Sequence, residues 1–177
     1  MPDTAELRDD VVILDRFTPA DVEAHVAGED EEHARRFGWH PARSTAETAR
    51  AAIQRWSDDW ENDGMTRAFA ARLLDGTLVG GTQLRFKGEE VAQISYWIFP
   101  SWRRRGLAAR VVRLACEFAF GSLGIERVEA LIEPDNDASR RVLDKVGFVE
   151  EGRLRNRGRF GDERRDMILF SLLPSDL

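Results

Sequence analysis

Residues 103–108 read Arg103-Arg104-Arg105-Gly106-Leu107-Ala108, a run suited to holding a pyrophosphate. Gly106 lets the backbone come close to a ligand, and Ala108 keeps the turn that follows narrow. If a helix begins here, its free N–H groups and its dipole make an anion site. Arginine guanidinium groups can then grip phosphate oxygens in pairs. The wider segment 101–113 carries arginines at 103, 104, 105, 110 and 113 and no acid. On a chain of net charge −6, that points to one anionic ligand at one place, or to a solvated helix face with clustered arginines.

The elements around this loop follow from patterning. Val91–Ile98 reads as a strand, and Phe99-Pro100-Ser101-Trp102 leads from it into the loop. Pro100 has no amide hydrogen, so the strand ends or splays there. A splayed strand leaves backbone groups to which an extended ligand arm can add. After the loop the period becomes 3.6, with Leu107, Val111, Leu114 and Phe118 on one face and Gly121 and Gly124 as the stop. Upstream, Val11–Arg16 predicts a strand, and Thr18-Pro19-Ala20-Asp21 predicts a helix start. The stretch 28–43 shows no period. Ser44-Thr45-Ala46-Glu47 predicts a capped helix with Ala49, Ile53, Trp56 and Trp60 on one stripe. Arg67–Leu73, Thr77–Phe86 and Val91–Ile98 form a hairpin-linked trio. Val128–Ile132 is a further strand, and Asp135 or Asn136 caps a short helix closed by Gly147. Phe148–Val149 and Met167–Leu173 read as a last strand pair, with a basic loop over 153–165 between them. Hairpins first and crossover helices later predict an α+β, three-layer domain over residues 1–177. Its central sheet is mixed, with helices on both faces.

Composition narrows the class. The 177 residues suffice for one domain, and 42% apolar with 33% charged residues is ordinary for a globular protein. No apolar run is long enough to span a bilayer, so no membrane partner is expected. The acidic net charge disfavours nucleic acid. Cys116 is the only cysteine, which fits a reducing cytoplasm and a core role. The histidines at 25, 33 and 40 show no metal-ligand spacing and no acidic partner at a telling offset, so no metal is expected and local structural roles are.

The R-x-x-G-x-A pattern at Arg103–Ala108, placed between strand and helix, resembles the acetyl-CoA pyrophosphate loop of the GNAT superfamily of N-acetyltransferases. The run Glu133-Pro134-Asp135-Asn136-Asp137-Ala138-Ser139-Arg140-Arg141-Val142-Leu143-Asp144-Lys145-Val146-Gly147-Phe148 is similar to the N-x-x-S-x-x-V-L-x-x-x-G-F segment of its RimJ/RimL-like branch. Glu151-Gly152, Asp166 and the ending Ser171-Leu172-Leu173 extend the likeness. It covers residues 65 to 173 well and the earlier part loosely.

The resemblance implies a GNAT fold, mostly antiparallel with a splayed strand, and acetyl-CoA or another acyl-CoA as co-substrate. It implies a CoA site made of Arg103, Arg104, Arg105, Gly106, Leu107 and Ala108 for the pyrophosphate, the backbone at Ile98 for the pantetheine and thioester carbonyl, and Asn136. It places the Ser139 hydroxyl near the CoA sulfur, where it can protonate or hydrogen-bond the departing thiolate. The acceptor is an amine, on a protein N-terminus or a small molecule such as a polyamine. The branch often carries an acid four positions before the counterpart of Trp97, but this chain has Gln93 there. Gln93 cannot take a proton, so the base is elsewhere, Glu133 being one choice, or water accepts the proton.

Asn136 and Ser139 read equally as helix caps. Trp56 and Trp60 read as packing, and the segment holding Trp39 as packing or as part of an acceptor pocket. Residues 29–32 either draw in a cationic amine or solvate a helix. A weakly catalytic acyl-CoA sensor is the competing function, and Gln93 is its one supporting feature. A nucleotide-binding module is disfavoured because no Walker-type Lys-Ser/Thr follows Gly106. A homodimer is among the oligomeric states left open.

Overall fold

A computed structural model describes residues 6–37 and 43–177; Trp39 and His40 lie outside the described residues. Its strands are β1 (Leu7–Arg8), β2 (Val12–Asp15), β3 (Thr66–Leu73), β4 (Leu78–Gly88), β5 (Val91–Ile98), β6 (Arg127–Ile132), β7 (Val149–Phe160) and β8 (Glu163–Leu172). They form one sheet in the order β1-β2-β3-β4-β5-β6-β8-β7. Every neighbouring pair is antiparallel except β5 with β6, whose connection through the helix at 107–123 is long enough to return the chain in the same direction.

Helices cover both faces. Helices α1 (Val22–Gly28), α2 (Glu31–Arg36) and α3 (Ala46–Glu61) lie on one; α4 (Leu107–Leu123) and α5 (Asp137–Val146) lie on the other. On α3 the stripe Ala49, Ile53, Trp56 and Trp60 is buried, as its spacing predicts. The capping box there is Thr45 with Thr48, each hydroxyl accepting the other's backbone N–H. Each large side chain so buried stabilises the fold by about 1.5–3 kcal/mol. On α4, Val111, Val112, Ala115, Cys116 and Ala119 are fully enclosed. Burial pushes the Cys116 thiol up, which leaves it inert and in the core.

The sheet opens between β5 and β6. Their ladder stops at Ile94 opposite Ala130, while β5 stays with β4 as far as Ile98 and β6 stays with β8 as far as Ile132. Phe99 N–H donates to Val79 in β4. By strand alternation the backbone groups of Tyr96 and Ile98 therefore point the other way, into the opening. Pro100–Trp102 makes a 3-10 turn at the strand's end, where Pro100 predicted a stop.

Three features depart from the sequence expectation. The basic stretch 153–165 is a strand hairpin, not a loop: β7 and β8 turn at 161–162. In β7 the arginines at 153, 155, 157 and 159 alternate with Leu154, Asn156 and Gly158, a period of two without an apolar face, so its charge stood out and its strand pattern did not. It is held by ladder bonds and by Asp166, which pairs with Arg153 and accepts Asn156 N–H. The aperiodic stretch 28–43 contains α2, whose signal lies in its ends. Asp30 caps it through His33 N–H at 2.8 Å, and acids open it while arginines close it. The two-residue β1 is held by Asp9, which accepts Val11 and Val12 N–H in the turn to β2. Among the described residues no helix is long and apolar enough to cross a membrane.

Candidate active site

A cleft of about 450 Å³ lies at the opening between β5 and β6 and runs to the start of α4. At that end Gly106 is the residue before α4, with φ 77° and ψ 0°. This left-handed turn into a right-handed helix makes successive N–H groups converge, as an anion requires. A side chain there would meet nothing nearer than Lys145 Nζ at 4.0 Å, so glycine is needed for its φ and not for space. Arg104 is also left-handed, at φ 63°. Arg103, Arg104, Arg141, Lys145, Leu107 and Ala108 border the cleft.

The five arginines of 101–113 do not act as one patch. Arg110 pairs with Asp9 and Asp10, Arg113 reaches the Val146 carbonyl, and Arg105 lies over the Trp102 ring at 4.7 Å. Arg103 donates through Nε to the Ile98 carbonyl at 3.0 Å and through Nη1 to Asp30 at 2.8 Å. Cationic character at the cleft comes instead from Arg103 and Arg104 with Arg36 of α2 and Arg141 and Lys145 of α5, which local charge clustering did not show.

Asn136 caps α5, its Oδ1 accepting Ser139 N–H at 3.1 Å, and both residues border the cleft. Ser139 Oγ lies 2.6 Å from the Tyr96 hydroxyl, whose single hydrogen has that Oγ and the Ser139 carbonyl, at 3.2 Å, as alternative acceptors. Burial outweighs the bond to Ser139 and pushes the Tyr96 phenol up, so Tyr96 stays protonated as a donor. Sequence reasoning passed over Tyr96. Its signal was parity: it lies between Ser95 and Trp97 and faces α4 and α5, whereas Trp97 faces α1–α3.

Glu133 sits apart from the cleft lining. Its Oε2 accepts from Arg36 at 2.6 Å and its Oε1 from Arg165 at 2.7 Å, and Arg35 lies 3.7 Å away. Arg36 also holds Asp135. Gln93 is paired in register with Arg85 and Glu129, on the same side of β5 as Trp97.

The second wall is aromatic. His33 stands 4.8 Å from Phe37 and 5.8 Å from Trp97 by ring centroids, and all three border the cleft with Glu32. The expectation that the histidines lack an acidic partner at a telling offset fails. His25 and Glu29, four apart, meet in the interior with Nε2 3.2 Å from Oε1, and Ser44 donates to Glu29 through both N–H and hydroxyl. Of the acids at 29–32, Glu29 is thus internal, Asp30 is a cap and Arg103 partner, and Glu32 alone faces the cleft. Among the described residues no His, Cys, Asp or Glu cluster fits a metal ion.

A family described as an acetyltransferase (GNAT) domain matches residues 12–149. The uncharacterized N-acetyltransferase YoaA of Bacillus subtilis is 30% identical over 151 residues, spanning 84% of this chain and 85% of that protein. RimJ of Mycobacterium smegmatis, solved in complex with CoA-disulfide, superposes with a TM-score of 0.83 at 24% identity, over 98% of this chain and 88% of that one. Spermidine N-acetyltransferase from Vibrio cholerae, in complex with CoA and spermine, gives 0.79 at 17% identity, over 95% and 98%. These two structures share the fold. The chain belongs to the GNAT acetyltransferases, and it is an acyltransferase.

Proposed function

We propose that the chain moves the acetyl group of acetyl-CoA directly to a primary amine, on a protein N-terminus or a small molecule. The observation that carries this is the Tyr96–Ser139 hydroxyl pair at 2.6 Å, set beside the opening in the sheet. The cleft suits an acyl-CoA chemically: two left-handed residues with Arg104, Arg141 and Lys145 for phosphates, an open strand edge for an amide-bearing arm, and hydroxyls for a sulfur. Bound acyl-CoA supplies a thioester carbonyl that an amine can attack.

The chain's own groups do the rest. Arg104, Lys145 and the amides of 106–108 hold the phosphate end. Backbone N–H groups facing the opening at Tyr96 and Ile98 orient the arm and stabilise charge on the carbonyl oxygen. The Tyr96 hydroxyl can donate to Ser139 Oγ, leaving the Ser139 proton for the departing sulfur. Both oxygens of Glu133 are engaged by arginines, so its part in this reading is to tie α2 and β8 to the end of β6. A cytoplasmic setting without nucleic-acid or membrane partners goes with it.

The competing reading, an acyl-CoA sensor with little turnover, draws on Gln93. Acetyl-CoA raising the melting temperature where ATP does not supports the CoA site. Thiol release across N-terminal peptides and polyamines then separates enzyme from sensor and chooses the acceptor. No thermal shift with any acyl-CoA overturns the proposal.

A further inference from the structure

The cleft is lined from both faces of the sheet at once. Tyr96 and Ser139 border it on the α4–α5 side; Trp97, His33, Phe37 and Glu32 border it on the α1–α3 side. The amine adds to one face of the planar thioester while the sulfur lies in that plane, so the group that takes the nitrogen's proton is distinct from the one that meets the sulfur. With Ser139 and Tyr96 committed to the sulfur, the proton acceptor is left to the α1–α3 side, where Gln93 also points and offers none.

On that side, among the described residues, few groups bordering the cleft can hold a proton. Arg36 is permanently charged. Glu32 is an exposed carboxylate at the mouth, 3.8 Å from Arg36 and 3.5 Å from Arg103. His33 remains, 3% exposed, its ring fixed between Phe37 and Trp97 and its backbone N–H anchored by Asp30. Behind it Glu29 is a buried carboxylate that favours positive charge on the ring, as does Asp30, while His25 and Arg103 oppose it.

Resting on the N-acyltransferase reading, we propose that His33 is the general base of this enzyme, taking the proton that the acceptor nitrogen sheds as it bonds to the carbonyl carbon. As the N–C bond forms, the carbonyl π pair moves to oxygen. His33 gains the nitrogen's proton, and the C–S bond then breaks with its electron pair leaving on sulfur. Ser139, backed by Tyr96, gives its proton to that sulfur. Solvent takes the proton from His33 and returns one to Ser139, so the sum is amine plus thioester to amide plus thiol. Burial holds His33 down at about 4, so its ring is neutral near pH 7. Such a weak base suffices, because a nitrogen bonding to a carbonyl carbon is far more acidic than a free ammonium.

The test uses the full chain, acetyl-CoA, and either a peptide with a free N-terminal alanine or spermidine, whichever the parent acetylates. His33→Gln is expected to lower kcat about 100-fold or more, with the acceptor KM and the acetyl-CoA thermal shift little changed. Imidazole added to His33→Ala is expected to restore part of the loss. Turnover within about threefold of the parent in His33→Gln overturns the proposal, given the size expected of a general base. So does a loss that imidazole fails to restore in a His33→Ala protein that still folds and binds acetyl-CoA. If His33→Ala does not fold, kcat of His33→Gln decides. A parent that releases no thiol with either amine overturns the N-acyltransferase reading itself, whereas failure at His33 alone leaves that reading standing.

Discussion

The hydroxyl of Tyr96 lies 2.6 Å from Oγ of Ser139, joining residues 43 positions apart across the opening in the sheet. Asn136 supplies the other half of the arrangement by capping the first turn of α5, which fixes where Ser139 stands. The capping reading and the catalytic reading of this segment are thus compatible: the cap is what aims the serine.

Ser139→Ala is expected to lower kcat by about 10²-fold while the thermal shift with acetyl-CoA persists. Tyr96→Phe should give a smaller loss, since Ser139 keeps its own proton. Equal loss of acetyl-CoA affinity and turnover in Ser139→Ala would remove its role at the sulfur.

Gly106→Ala tests the phosphate end. The added methyl has room, but a left-handed φ of 77° costs an alanine about 1–2 kcal/mol. A fall in melting temperature of a few degrees is expected. Acetyl-CoA should also stabilise the variant less than the parent, because relieving the strain turns the amides of 106–108 away from the ligand. Differential scanning fluorimetry with and without acetyl-CoA reads both.

Glu133→Gln separates a clamp from a base. Removing the charge leaves Arg36 and Arg165 without their shared carboxylate. With both guanidinium groups partly exposed, a cost of roughly 2–3 kcal/mol is expected, below that of a fully enclosed pair. Denaturant unfolding measures it. Turnover well below the melting temperature should remain close to the parent's, and a loss comparable to that in His33→Gln would return Glu133 to the role of base.

Burial keeps His33 neutral down to about 4, against an ordinary value of 6.5. Above pH 6.5 the ring is neutral folded or unfolded, so it adds no pH dependence. Below 6.5 the unfolded chain binds a proton that the folded one refuses, and stability falls until about pH 4. The shift corresponds to roughly 3 kcal/mol across that window. Unfolding midpoints between pH 7 and 4 should show this decline, and His33→Gln should flatten it.

Much of this was legible in the chain. The α3 stripe, the hairpin trio and the Gly106 turn each carry a local period or a local conformational demand, and each stands where those demands place it. The parts that were not legible depend on distance in space. Tyr96 meets Ser139 only because α5 folds over the opening. Arg36 meets Glu133 across 97 positions, and α2 shows itself by its capping charges alone. His33 sits in a segment without period, and only packing against Trp97 reveals that it reaches the cleft.

The order of strands has a consequence for solubility. A sheet must end somewhere, and an exposed end invites another chain to add to it. Here one end is β1, two residues long. The other is β7, with arginines at 153, 155, 157 and 159 and a register break between Leu154 and Gly158, so that a second copy would meet repulsion and a broken ladder. The backbone left open for addition, at Tyr96 and Ile98, is recessed in a cleft between helices, where a single extended arm can enter without an approaching sheet edge.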